Sequence, residues 1–121
     1  MIETTEGLVR QYYDTLREGV SFDRERLRTI LAPDLVFEGP IAGRRVGADG
    51  FIKGVAGFAE TARGLTMLHR LHAGGEAAAL YDAELPGGRV RFAEFFAVAA
   101  GRITSLRLLY DPAEYRARGG R

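Results

Sequence analysis

The chain contains no cysteine and no tryptophan, only two histidines, and four prolines in 121 residues. Without cysteine there is neither a disulfide framework nor a thiolate metal site. Two histidines are a thin inventory for zinc or iron, and only carboxylates remain as ligands for a harder ion such as magnesium. No metal and no other cofactor is expected. An excess of one charge is also lacking: 17 Lys+Arg face 16 Asp+Glu, a net charge of +1, with no long block of either sign. This balance argues against nucleic acid or an acidic membrane surface as a partner. No segment approaches the roughly 18 apolar residues of a membrane span, and positions 1–6 lack a basic region followed by an apolar run. The expectation is a soluble, cytoplasmic protein of one domain, residues 1–121, large enough for a sizeable core.

The remaining pattern changes character along the chain. Leu8, Val9, Tyr12, Tyr13 and Leu16 recur at helical spacing, with Thr4 and Thr5 available as caps and Gly19 as a stop. Asp23 can cap a second helix carrying Leu27, Ile30 and Leu31, ended by Ala32, Pro33 and Asp34. A short strand at 35–38 closes on Gly39 and Pro40. A loop at 41–47 then leads to a third helix with Phe51, Ile52, Val55, Phe58, Ala59 and Ala62 on its apolar side. After Gly64 the pattern predicts strands over 65–73, 76–85, 89–99 and 103–110, separated by glycine-containing turns. Helices segregated from strands point to an α+β domain: three N-terminal helices on a strongly curved antiparallel sheet that can wrap a pocket. The tail, 112–121, is basic and contains glycine, and is expected to be loosely held.

Within the 89–99 strand, one face reads Val90, Phe92, Glu94, Phe96, Val98. A carboxylate among four apolar neighbours is costly, so Glu94 is paired, protonated or chemically employed. A tight turn at Gly87-Gly88 would set Tyr81 opposite Glu94 and Glu84 opposite Arg91, making Tyr81 the nearest donor. The turn after Ala99 decides a rival. An odd loop puts Thr104, Leu106, Leu108 and Tyr110 on the face of Glu94, whereas an even one gives Glu94 an Arg107 partner and a structural ion pair. The apolar stripes favour the odd loop. Phe95, on the opposite face, gives a reason to expect a homodimer.

The order of elements resembles the nuclear transport factor 2-like superfamily, and within it the SnoaL-like polyketide cyclases and ketosteroid isomerases. The local carriers are Val9-Arg10-Gln11-Tyr12-Tyr13, Leu35-Val36-Phe37-Glu38-Gly39-Pro40, Phe92-Ala93-Glu94-Phe95-Phe96, Gly101-Arg102-Ile103-Thr104-Ser105-Leu106-Arg107 and Leu109-Tyr110-Asp111-Pro112. The resemblance implies a cone-shaped domain around a small hydrophobic molecule. Ketosteroid isomerases use a tyrosine, a protonated carboxylic acid and a separate aspartate base. In that scheme Tyr12 matches the tyrosine and Glu94 the acid, but the base falls at Gly39, and neighbouring Glu38 points to the other side of its strand. The resemblance to limonene-epoxide hydrolase is broken at Leu108, where that family has a carboxylate. SnoaL-like cyclases need little more than one acid in an apolar pocket, a part Glu94 can fill.

His69 is the histidine that could assist, since Leu65, Met67, His69 and Leu71 form the more apolar parity of their strand, although a lone histidine there is usually structural. The expected catalytic set is Glu94, Tyr12 and His69. The expected binding set is Tyr81, Phe37, Phe58, Phe92, Leu106, Leu108 and Tyr110. A cofactor-independent isomerase or cyclase acting on a hydrophobic carbonyl compound is the leading expectation, and a non-catalytic ligand-binding or interaction domain is the alternative.

Overall fold

A computed structural model describes residues 4–16 and 22–120. Helix α1 (Thr5–Asp14) starts where the Thr4 hydroxyl accepts from the Gly7 N–H at 2.9 Å, and α2 (Arg24–Ile30) where the Asp23 carboxylate accepts from Arg26. Both caps satisfy backbone donors that the first helical turn leaves free. The Gly19 stop lies outside the described residues. Strand β1 (Leu31–Gly39) follows α2 directly, so Pro33 falls inside a strand and not in a linker. Strand β2 (Gly43–Val46) replaces part of the expected loop. Its four residues are all exposed, which explains why no apolar alternation marks it. Helix α3 (Ala48–Thr61) then precedes β3 (Gly64–Ala73), β4 (Glu76–Leu85), β5 (Gly88–Ala99) and β6 (Arg102–Leu109).

These strands form one curved, unclosed sheet in the order β2-β1-β6-β5-β4-β3. The sheet is mixed: β1 runs parallel to β6, and every other neighbouring pair is antiparallel. The core lies between its concave face and the helices. Leu8, Val9 and Ile52 from the helices, and Leu35, Phe92 and Leu106 from the strands, are all nearly inaccessible. Burial of these side chains is the main stabilising term, on the order of 1.5–3 kcal/mol each.

Three further details differ from the sequence reading. The β4–β5 turn centres on Pro86-Gly87, with Leu85 paired to Gly88, one step earlier than expected. Proline suits the first central position of a turn. Gly87 is also held by the Arg118 backbone, its N–H donating to the Arg118 carbonyl at 2.8 Å. The register therefore moves by two residues: Ala79, not Tyr81, lies opposite Glu94, and Arg91 pairs with Asp82 while Arg89 pairs with Glu84. A shift of two preserves the faces. In β6, Thr104 is an extra residue between the Val98–Ile103 and Ala97–Ser105 pairs. This bulge leaves Leu106 and Leu108 on the face of Glu94, brings Ile103 inward and removes Thr104 from it.

The third difference is at the C-terminus. Where a loosely held tail was expected, Pro112–Ala117 forms a helix, α4. Asp111 accepts from the Ala113 and Glu114 N–H groups, and proline occupies the start of the helix. Its Tyr115 is buried, with ring centroids 5.1 Å from Tyr110 and 5.9 Å from Phe92.

Candidate functional site

The amphipathic stripe of α1 lies across the concave face of the sheet and carries Tyr12 and Tyr13 to the middle of β5. There Glu94 is 1% exposed. The Tyr13 hydroxyl donates to its Oε1 at 2.7 Å, and the Tyr12 hydroxyl donates to its Oε2 at 3.1 Å. Tyr81, from β4, is a third phenol beside them and lines the same cavity as Glu94. The rings pack edge to face, Tyr12 on Tyr13 at 5.0 Å and Tyr13 on Tyr81 at 5.5 Å. That geometry adds stabilisation beyond burial alone.

Burial raises the Glu94 pKa above its ordinary value, and the hydrogen bonds from Tyr13, Tyr81 and Tyr12 pull it partly back. The phenols move the same way: burial first, then the adjacent carboxylate, raises Tyr12, Tyr13 and Tyr81. They remain protonated donors across the neutral range. Arg107 is not part of this cluster. It faces outward and pairs with Glu38 at 3.1 Å, which removes the structural ion-pair explanation for Glu94.

A cavity of about 370 Å³ opens beside the cluster. Glu94, Tyr12 and Tyr81 line it, and Tyr13 does not. Phe37, Phe58, Phe92 and Leu106 supply apolar walls, with Leu108 and Tyr110 towards α4. Phe51, Val55 and Gly54 of α3 close another side, and Ile41 and Arg45, both exposed, stand at the mouth. Of the expected site residues, His69 alone is absent from the lining. The cause is an extra residue at Leu68: Met67 pairs with inward-facing Tyr81, but His69 pairs with Leu80 on the outer face and is exposed. The apolar parity of Leu65 and Met67 ends at that bulge.

Two tyrosines at the site are missing from the expected set. Tyr13 shares the packing stripe of the first helix with Tyr12, and only the resemblance singles out Tyr12, yet Tyr13 makes the shorter bond to Glu94. Tyr115 was assigned to the tail, although the Asp111-Pro112 pair that starts its helix was visible. Among the described residues no group of three or more His, Cys, Asp or Glu is gathered as a metal site would require, and no helix is long and apolar enough to cross a membrane. The arrangement can bind a small apolar molecule and exchange a hydrogen bond or proton with it at one end.

The sequence profile of the SnoaL-like domain matches residues 9–106, most of the chain, with β1 to β5 in full and the first part of β6. The protein belongs to the SnoaL-like domain family. Solved structures agree with this SnoaL-like assignment at the level of fold. An NTF2-like protein of unknown function from Cytophaga hutchinsonii is 20% identical, with 96% of this chain and 97% of that one covered and a TM-score of 0.78. A steroid delta-isomerase from Pseudomonas aeruginosa is 17% identical over 93% of this chain and 84% of its own, with a TM-score of 0.76. A protein from Jannaschia sp. CCS1 assigned as a SnoaL-like polyketide cyclase is 16% identical over 97% and 92%, with a TM-score of 0.74. Comparison with curated proteins finds no match. The SnoaL-like fold is thus shared with proteins of differing assignments, and the chemistry has to be argued from the site.

Proposed function

We propose that this SnoaL-like domain binds a small hydrophobic carbonyl compound in its cavity and acts on it as a cofactor-independent isomerase or cyclase. Glu94 is the proton donor and acceptor, and Tyr12 and Tyr81 orient it. The observation that carries this reading is a carboxyl only 1% exposed that nevertheless lines a cavity. As a carboxylate Glu94 can take the proton from the carbon beside the carbonyl, and as the acid so formed it can return that proton to the alkoxide oxygen once the new carbon–carbon bond has formed. The surrounding apolar walls hold an intramolecular aldol partner in place and exclude water.

A non-catalytic binding domain is the second reading, and a specific observation favours it. Gly39 offers no side chain as a base, and Glu38, the other carboxylate on the lining, is engaged by Arg107. Exchange of α-hydrogens in a bicyclic ketone, 1-tetralone, followed by NMR in deuterated buffer, separates the two. Catalysis predicts acceleration by the wild type of roughly 100-fold or more, lost in Glu94→Gln. Binding without acceleration would establish the second reading.

A further inference from the structure

Arg45 is a charged residue on the cavity that the chemistry at Glu94 does not use. Across the β1–β2 pair it lies opposite Phe37, and the same row continues through Leu106 of β6 to Phe96 of β5. Phe37 and Leu106 are cavity walls, so this row lies on the concave face and Arg45 ends it at the edge strand. The adjacent row, Arg44, Glu38 and Arg107, falls on the other face. There Arg107 holds Glu38 at 3.1 Å. Two consecutive arginines of one short strand thus have different surroundings: Arg44 is beside a carboxylate, and Arg45 is beside the cavity.

The Arg45 guanidinium is also tethered. Its Nε donates to the Ala42 carbonyl in the β1–β2 turn at 3.1 Å, and Ala42 lines the cavity as well. This bond uses one of the N–H groups and leaves the two terminal nitrogens, an edge that can grip a carboxylate with two parallel bonds. Among the described residues no carboxylate takes that edge. Glu38 goes to Arg107, and Asp49, at the start of α3, goes to Arg28 at 3.2 Å. Gly50 and Gly54 of α3 line the cavity without narrowing it, since nothing lies within 4 Å of a Cβ built on either. An inward charge on an edge strand also discourages pairing with another sheet, but that role needs neither the tether nor a place on the lining.

We propose that Arg45 is the anion-binding residue of the cavity, and that the ligand is an apolar carboxylic acid held body inwards, its carboxylate on the Arg45 fork at the mouth. The lining carries three charged residues, Glu94, Glu38 and Arg45. Glu94 is 1% exposed, and a ligand anion beside it would be stripped of water next to an acidic group. Glu38 is neutralised by Arg107. Phe37, Phe58, Phe92 and Leu106 accept an apolar body and offer an anion nothing. Arg45 is therefore the lining residue that a ligand carboxylate can meet. Such a ligand requires the cavity to be a site for small apolar molecules, the reading on which this assignment rests, and it narrows the substrate class from carbonyl compounds in general to carbonyl-bearing acids.

The test uses two phenyl ketones with a carboxylate on arms of different length, 4-oxo-4-phenylbutanoate and 6-oxo-6-phenylhexanoate, each against its primary amide. The amides keep the shape and lack the charge. Dissociation constants are measured by calorimetry at about pH 8, where both acids are ionised. At low salt the wild type should bind at least one acid about tenfold more tightly than its amide, as a two-point bond to a partly solvated charge allows. Arg45→Gln should lose that preference, with amide affinities within about twofold of the wild type. Arg45 is exposed, so neither this substitution nor Arg45→Lys should unfold the domain. Arg45→Lys should keep only part of the preference, because lysine lacks the fork. Arg44→Gln, on the outer face, should keep all of it, and an equal loss there would overturn the assignment in favour of a general effect of basic charge. Equal affinity for acid and amide in a wild type that binds both overturns the role of Arg45 and leaves the cavity reading in place. A preference that survives in Arg45→Gln does the same. Binding of none of the four compounds overturns both readings.

Discussion

Tyr12 and Tyr13 are consecutive, and consecutive helical side chains diverge by about 100°. They can meet at one carboxylate only because Glu94 projects between those two directions, one oxygen towards each hydroxyl. Tyr13 does not line the cavity, so its effect on a ligand passes through Glu94 and it is a positioning residue. Replacing it by Phe removes a bond that favours the ionised form. The Glu94 carboxyl resonance in Tyr13→Phe, followed by carbon-detected NMR, should therefore titrate at higher pH than in the wild type. The variant should also lose about 1–3 kcal/mol in urea unfolding. The dependence of stability on pH follows the same sign. Because the folded-state pKa of Glu94 is raised, its contribution is full below the unfolded-state pKa and declines as pH rises through the folded one. The unfolding free energy of the wild type should therefore fall relative to that of Glu94→Gln as pH rises, and parallel pH profiles would contradict a raised Glu94. The importance of Glu94 was legible from its strand alone, because four apolar neighbours at alternate positions leave few inexpensive states for a carboxyl. Its true partners were harder to read, since Tyr13 has the same packing pattern as any core aromatic.

At the scale of elements, the long strands were legible because alternating burial and glycine turns reinforce each other. The single-residue bulges at Leu68 and Thr104 were not. An inserted residue leaves no mark in composition, yet it reverses every later side chain on the strand, and for that reason His69 is on the outer face while Met67 stays half-buried against the core. Helix α4 was obscured by its basic, glycine-containing flank, even though its cap and proline were present. Its docking is specific: Arg118 donates to the Gly87 carbonyl at 3.2 Å, and a Cβ on Gly87 would sit 2.9 Å from the Arg118 Cα. Tyr115 is the apolar anchor, and its ring also lines the cavity. Tyr115→Ala should cost about 3–5 kcal/mol, as for other large aromatic truncations in a core, with the loss measured by urea unfolding. A loss below about 1 kcal/mol would mean that α4 is not a docked part of the domain.

At the scale of the molecule, the convex face of the sheet is left without a cover among the described residues. Leu71, Ala78 and Phe95 follow one another in register across β3, β4 and β5, and Leu80, Ala93 and Leu109 form the adjacent row. Leu71, Phe95 and Leu109 are 68%, 47% and 53% exposed. Ion pairs border the rows, Arg91 with Asp82 on one side and Arg107 with Glu38 on the other. An apolar centre with a charged rim has the anatomy of a protein interface, and a patch of this kind can meet its own copy about a two-fold axis. We propose a homodimer through this face. Light scattering at micromolar concentration should give twice the chain mass for the wild type, and a monomeric mass would count directly against the proposal. Phe95→Glu places a charge at the centre of both halves of such an interface, where two copies would face each other without counterions, and should shift the protein to monomer. Because Phe95 points away from the cavity, the Glu94 titration in that variant should match the wild type. A change in both mass and titration would instead mean that the substitution has disturbed the sheet itself.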